Sequence, residues 1–544
     1  MAVITLTTQM AGAINYTATT ASSADWSSVS NSTYFYDLTD KLVHYKNSTG
    51  AVLEIYGSAG GLTYFTEAQN TSAPNATVNV DSLTAIASTT NADISIVPKG
   101  TGAFQLAVPD NTTTGGNKRG QYAIDLQRIR SAAAGAASGD YSCIVGGRNN
   151  TASGERSMIL GGSENTTSGA VAVAIGGSNN STAVYAVTIG YQNTASGNFS
   201  VAMGNSCAAS GSSSTSLGIS NNISGTAGFG AGSTNTNSGN YSAVFGLSNS
   251  ISGAYTIRAG NGNTGNAAYS VTTGYNNVVS GSENGCFGSS STVSANYGFS
   301  LGYQNSVTGL YGLALGKACT SSLDSATAIG LRCKATGETS LAIGGYFYSD
   351  STASGGNSII VGFGTASSSF SSIFGSGTCD APYSTVLGYQ GNAFGLTSKV
   401  SISTNIFTSA GDSQKGIARY GRRTTDATVS TLTANGNALV NQSTILGLQN
   451  QQMIRFKGSI TGKQSGSTNV GVWDIDGVIV RGANAASTTL TISNINLVTN
   501  ASGWGSPTVS ADTTNGALKI DVQGLAGTNI QWLAILDTVE NLYL

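Results

Sequence analysis

Asn198-Phe199-Ser200-Val201-Ala202-Met203-Gly204 is the stretch on which the fold of this chain turns. Phe199, Val201 and Met203 are apolar, and Ser200 and Ala202 between them are small, so the run has the period-two pattern of a strand. Gly204 then supplies a turn with free choice of φ. The same closing glycine returns fourteen residues later, and again, as Gly218, Gly232, Gly246, Gly260 and Gly274, up to Gly344. Upstream it runs back through Gly190 and Gly176, with Gly161 and Gly146 leading in, and Gly362, Gly375 and Gly388 trail out at irregular spacing. A second glycine (Gly197, Gly211, Gly225, Gly239) sits half a period away. A fixed internal period means stacked, nearly identical units, and it outranks any local reading.

Two short strands and two turns make one fourteen-residue coil. Stacked at strand spacing, such coils pair their backbones with the coils above and below. The residue before the closing glycine is Ile175, Ile189, Met203, Leu217 or Phe245, and two before that come Val173, Val187, Val201 and Ile257. This pattern predicts that the apolar columns line the core. Three residues after the glycine stand Asn179, Asn193, Asn221, Asn235, Asn249 and Asn263, then Asn277 and Asn305, a column whose amides can bond along the stack. The expected architecture is all-β, with a thin-cored β-roll (solenoid) over 139–390.

Units such as Asn198–Gly204 and Ser340–Gly344, alternating with Thr194-Ala195-Ser196-Gly197, resemble the head repeats of YadA-type trimeric adhesins. The resemblance covers nearly half the chain. It implies a left-handed β-roll, three of which pack about a threefold axis. It says less about function, because bacterial adhesins and phage fibres share the roll.

Outward from the roll, composition sets the bounds. The 544 residues allow two to four domains. Only 9% of residues are charged and 73 are glycine, but there are just 5 prolines, and the regular columns argue against a disordered low-complexity chain. A net charge of −2 carries no polyelectrolyte signal, so nucleic acid is not an expected partner. No apolar run is long enough for membrane insertion. Met1-Ala2-Val3-Ile4-Thr5-Leu6-Thr7 lacks the basic start of a secretory signal, and Glu540-Asn541-Leu542-Tyr543-Leu544 does not resemble a barrel anchor. Both features belong to trimeric autotransporters, so a phage fibre is favoured over a bacterial surface adhesin.

Residues 1–115 read as a β-rich virion-attachment region, a meander through Tyr34–Leu38, Leu42–Lys46 and Ala51–Tyr56. His44, the only histidine, reads as a strand residue rather than a ligand or base. Leu83 to Leu106 is also strand-like. Residues 116–138 hold the richest basic patch, Lys118-Arg119 with Arg128 and Arg130. It reads as a collar with solvated charges rather than an anion or lipopolysaccharide contact.

After a connector at 391–418, residues 419–544 change composition. Trp473, Trp504 and Trp532 fall here, longer alternating strands appear, and Asn515-Gly516 marks a hairpin. Strands at this spacing predict a β-sandwich. From Arg419-Tyr420-Gly421-Arg422-Arg423 through Ala511–Gly516 to Asn529–Trp532 the segment resembles domains that end many phage fibre proteins. The resemblance implies a tip or trimerisation domain.

Chemistry-bearing motifs are few. Asp474 and Asp476 share one strand face and read as solvated. Nothing near His44 resembles a nucleophile elbow. Six cysteines (Cys143, Cys207, Cys286, Cys319, Cys333, Cys379) show no CxxC spacing, and three of them stand in the asparagine column as small buried substitutes. Cys319 and Cys333 are expected as free thiols. No cofactor, metal or catalytic residue is expected, and the chain is expected not to be an enzyme. The expected function is a homotrimeric fibre in the virion. A tail, neck or capsid protein would hold its N-terminal region, the roll would act as a spacer, and the distal domain would meet a host cell-surface glycan or protein. The alternatives are a structural capsid or neck fibre, or an autotransporter-type adhesin. Trp504, in a turn-rich stretch, is the candidate receptor anchor. The aromatic column Tyr185, Phe199, Tyr241, Tyr255, Tyr269, Tyr297 and Tyr311 is the candidate trimer contact, its alternative being packing within its own chain.

Overall fold

The computed structural model describes residues 3–9, 13–21, 27, 31, 33–37, 43–46, 48–54, 65–70, 80–85, 91, 93–345, 349–404, 406–437, 439–501 and 503–543. The chain divides into two units, Met1–Lys99 and Gly100–Leu544. Among the described residues there is no α-helix.

In the first unit Val3–Gln9 and Ala13–Ala21 form an antiparallel hairpin, Val3 opposite Thr19. Thr33–Asp37 pairs antiparallel with Val43–Lys46, which in turn pairs with Val52–Glu54. This is the meander order, although Leu38, Leu42, Asn47, Ile55 and Tyr56 lie outside the described residues. His44 is buried within its strand. Val80–Ala85 pairs with Phe65–Asn70, whereas 93–98 form no strand and leave Ile94, Ile96 and Val97 exposed.

In the second unit a parallel ladder begins earlier than Gly139, with Phe104–Gln105 beside Ile124–Asp125 and that pair beside Cys143–Ile144. Its first rungs are unevenly spaced, which hides them in the sequence. From Val173 onward the rungs are regular: Val173 opposes Val187, Val187 opposes Val201, and the glycines Gly176, Gly190 and Gly204 fall in one line. The ladder continues through Thr385–Asn392 to Val400–Ser403. A second ladder of two-residue strands runs along the opposite half-turn, from Thr151–Ala152 to Ser250–Ile251 and again from Val278–Val279. Gly190 has φ +118, and a Cβ there would run into the carbonyl oxygen of Gly204. Only glycine lets neighbouring coils approach so closely.

The facing of the strands reverses the expectation. Ser200 and Ala202 are wholly buried, whereas Phe199 is 58% and Met203 37% exposed. The interior is lined by Ala174, Thr188, Ala202 and Ser216 on one half-turn, and by the asparagines with Ser181, Ala195 and Ala209 on the other. Other coils carry larger apolar groups at the same inward positions, Ile144, Ile159, Val244, Ile360 and Ile373 on the first half-turn and Ile251, Val279, Val293 and Val307 on the second, all wholly buried, while the alternate positions turn outward. Ile223 fills the space that a Cβ on Gly230 would take, and the buried Arg258 guanidinium donates to the carbonyls of Ser250 and Gly265. Burial pushes the pKa of Arg258 down to about 10.

The buried asparagines bond along the roll as the sequence indicates. Asn249 Nδ2 donates to Asn235 Oδ1 at 3.2 Å, to Phe245 O at 2.9 Å and to Gly260 O at 2.8 Å. Its own Oδ1 accepts from the backbone N–H and Nδ2 of Asn263. Cys319 and Cys333 occupy the same column, fully buried, and their Sγ atoms meet the carbonyls at the same two offsets. All six cysteines are unpaired.

Beyond the roll the ladder changes direction. Ser413–Thr424 pairs antiparallel with Val400–Ser403 and begins a sheet in the order Ser413–Thr424, Ile530–Leu542, Gln452–Gln464, Val470–Arg481, Thr488–Asn500. A smaller antiparallel sheet is built on Ala517–Gln523, with Val429–Thr431, Leu446–Gly447 and Thr508–Asp512 beside it. Both sheets contribute to one core, Phe456, Trp473 and Trp532 from the first and Leu518, Ile520 and Val522 from the second. Gly516 turns the hairpin at φ +65.

Candidate functional site

The residues marked out by the sequence are scattered over three places. Arg119 and Arg130, from the basic stretch, are not solvated. Both guanidinium groups are buried on the Asp125 carboxylate, at 2.7 and 3.0 Å. One acid placed between two arginines ties the first turns of the ladder together, leaving Lys118 and Arg128 exposed. Asp476 pairs with Arg455 at 2.8 Å and Asp474 accepts from Ser459 at 2.6 Å, both across neighbouring strands. Among the described residues no cluster of three metal-ligating side chains occurs and no helix is long and apolar enough to cross a membrane.

Trp504 is 6% exposed. Its ring lies 5.3 Å from that of Trp532 and fills the space left by Gly462 and Gly471. It is a lid on the core, and no open indole face stands there for a receptor.

The aromatic column lies open on the roll. Tyr185 stacks on Phe199 at 4.9 Å, Tyr241 on Tyr255 at 5.3 Å, Tyr255 on Tyr269 at 5.0 Å and Tyr297 on Tyr311 at 4.8 Å. Each ring keeps roughly half of its surface exposed. Their backbones are left-handed, φ +58 at Tyr185 and Phe199, which aims the Phe199 N–H at Val184 O in the coil before it. Beside this column run the outward apolar side chains Met203, Phe245, Ile257 and Leu301, all more than a third exposed.

A further face was not read from the sequence as a site. Arg423, Gln531 and Lys463 stand side by side on three adjacent strands, Arg423 opposite Gln531 and Lys463 opposite Gln531. They border a depression of about 410 Å³ with Gln464, Ser465 and Asn529. Arg423 and Gln531 also border an adjoining one of about 510 Å³, with Arg419, Arg422, Asn435 and Asn437. No carboxylate lines either depression. The one signal in the sequence was the density of arginine in Arg419–Arg423.

The family model of the grass antifreeze β-roll matches residues 125–218. No curated protein matches the chain. Two solved structures to which it is similar are phage proteins. One is the tailspike protein gp49 of Acinetobacter baumannii bacteriophage Fri1, a capsular polysaccharide depolymerase. It shares 9% identity over 67% of this chain and 79% of that one, with a TM-score of 0.15. The other is the Acinetobacter baumannii phage AM24 tailspike, with 10% identity over 81% and 77% and a TM-score of 0.15. The first corrects the expectation of a non-enzyme. That expectation rested on the lack of a visible catalytic pair, and one of the proteins similar to this chain is an enzyme.

Proposed function

We propose that the chain is a homotrimeric phage fibre protein that attaches the virion to the host surface. The first unit is the virion-proximal part, the roll a stiff spacer, and the two-sheet C-terminal region, a sandwich, the part that meets the host. The observation that carries this is the outward facing of Met203, Phe245, Ile257 and Leu301. A fourteen-residue coil encloses only a few side chains, so the roll gains little from its own core, and an apolar stripe of this length calls for cover. A second and third copy of the same chain cover it in register, because each copy repeats at the same rise. The aromatic column at the coil corner joins that contact. The strand Thr488–Asn500 adds a second uncovered element, with Ile492, Leu497 and Val498 exposed at the sheet edge.

Light scattering on the full chain tests the assembly, and competition with the parent virion for adsorption tests attachment. A trimer that blocks adsorption supports the reading. A folded monodisperse monomer at micromolar concentration ends the trimer, and a trimer that leaves adsorption untouched ends the attachment role.

A further inference from the structure

We infer that the face bordered by Arg419, Arg422, Arg423 and Lys463 is a binding groove for an acidic polysaccharide, one whose sugars carry carboxylate groups. The inference deepens the attachment reading and rests on it only for the biological setting. The chemistry begins with charge. On the same sheet Lys415 meets Asp537 at 3.4 Å and Arg455 meets Asp476, whereas Lys463 donates to the carbonyl oxygen of Ser467 and meets no carboxylate. Around the two depressions four cations gather with no carboxylate in the lining. Three of these cations share one strand and the fourth stands two strands away, so the face gathers positive charge that an entering anion would relieve.

Geometry selects the anion. The Arg423–Gln531–Lys463 row crosses three strands, so its two cations stand roughly 10 Å apart with an amide between them. A guanidinium presents a planar fork that fits a carboxylate with two parallel N–H bonds. Gln464, Asn529, Gln531, Asn435 and Asn437 each offer both a donor and an acceptor, which is what sugar hydroxyls require. Separated carboxylates joined by hydroxylated rings match such a surface. Single-stranded nucleic acid matches it less well. It needs open aromatic platforms, and the one aromatic in the lining, Trp532, is buried.

The test is titration of the full chain with hexamers of mannuronate and of galacturonate at low salt. Maltohexaose serves as the neutral control and a twelve-residue oligothymidylate as the nucleic-acid control. At least one hexauronate is expected to bind, with affinity falling as salt rises, and maltohexaose is not. R422Q/R423Q is expected to weaken uronate binding about tenfold or more, and R423K by less, since lysine keeps the charge but loses the fork. Circular dichroism and tryptophan emission establish that the variants fold. K463Q, across Gln531 from Arg423, supplies the same readout should the double variant not fold.

The proposal is overturned if neither hexauronate binds, if the variants bind as the parent does, or if the oligothymidylate binds as tightly. It is overturned too if R422Q/R423Q lowers the oligomer mass, because the cations would then belong to a contact between copies. A chain that binds uronate but does not compete for adsorption keeps the groove and ends the attachment role. One that competes equally well as R422Q/R423Q keeps the role and ends the groove.

Discussion

Lys399 Nζ donates to Glu540 Oε2 at 2.7 Å, with both side chains buried and the two residues 141 positions apart in the chain. Gln414 donates to the same oxygen at 2.8 Å and Thr538 to the other at 2.8 Å. The pair binds the last parallel turn of the roll to the final strand, at the point where parallel pairing becomes antiparallel. Burial, with the Glu540 charge nearby, pushes the Tyr420 phenol well above its ordinary pKa. Removing one ion leaves the other buried without a partner, at a cost of about 3–5 kcal/mol, while replacing both is far milder. K399M should therefore lower the melting temperature of the C-terminal region markedly, and K399M/E540L should recover most of it. Equal melting of K399M and the parent would refute this.

The asparagine column makes a graded prediction. Asn249 satisfies buried carbonyls that a leucine would leave bare, at about 1–3 kcal/mol for each group. N249C should cost less than N249L, because Cys319 and Cys333 already meet the corresponding carbonyls. Denaturant unfolding of the two variants gives the order, and the reverse order would contradict it.

Two substitutions one residue apart separate inside from outside. A202L forces a large side chain into a closed interior and should destabilise the chain by about 1–3 kcal/mol or more. M203S should leave the folded chain close to the parent and lower the oligomer mass, most clearly in a multiple variant with F245S and L301S. Circular dichroism and light scattering read the two effects separately.

The corner aromatics oppose two terms. Y255G relieves a left-handed tyrosine, worth about 1–2 kcal/mol, and removes two stacked contacts worth about 0.5–1.5 kcal/mol each. The stability of the single chain should change little, so a fall in oligomer mass would report a contact between copies. An unchanged mass would confine the column to packing within its own chain.

Asp412 predicts acid sensitivity. Burial raises its pKa, but the N–H groups of Ser409, Thr408 and Phe407 outweigh that and hold it below the ordinary value. A carboxyl depressed in the folded state contributes stability that is present above its unfolded pKa. That contribution is lost as pH falls through the folded value. The loss should begin near pH 4 and continue below it. D412N should be less stable at neutral pH and lose less on acidification, and parallel acid titrations of the two proteins would reveal any departure.

The sequence shows the stacking directly, because Asn179, Gly190 and Gly204 recur at a spacing no other fold demands. It does not show which way the strands face. By hydrophobicity Met203 belongs inside and Ala202 is indifferent, and the period of two does not say which alternate set turns inward. The position of Ala202 is the inward one, where other coils carry Val244, Ile360 and Ile373. Trp504 misleads for a related reason. Gly503, Ser506 and Pro507 mark a turn, but the hollow that accepts the ring is made by Gly462 and Gly471, distant in sequence. The cationic face is invisible for the same cause, since Arg423, Lys463 and Gln531 come from three separate segments and meet only through strand register.

The line of glycines from Gly176 to Gly344 has a consequence for how such a chain can change over time. Each coil presents the same edge above and below, so a duplication or deletion of one whole coil leaves both neighbours with the partner they had before. Such an event shifts the two ends of the roll by roughly 4.8 Å along the stack and alters nothing else. Reach is therefore adjustable in small equal steps, independently of what the ends do. A gain or loss of any other number of residues has to be taken up outside the rungs, which stay in register across the eighteen-residue step from Gly344 to Gly362 and the thirteen-residue step from Gly362 to Gly375.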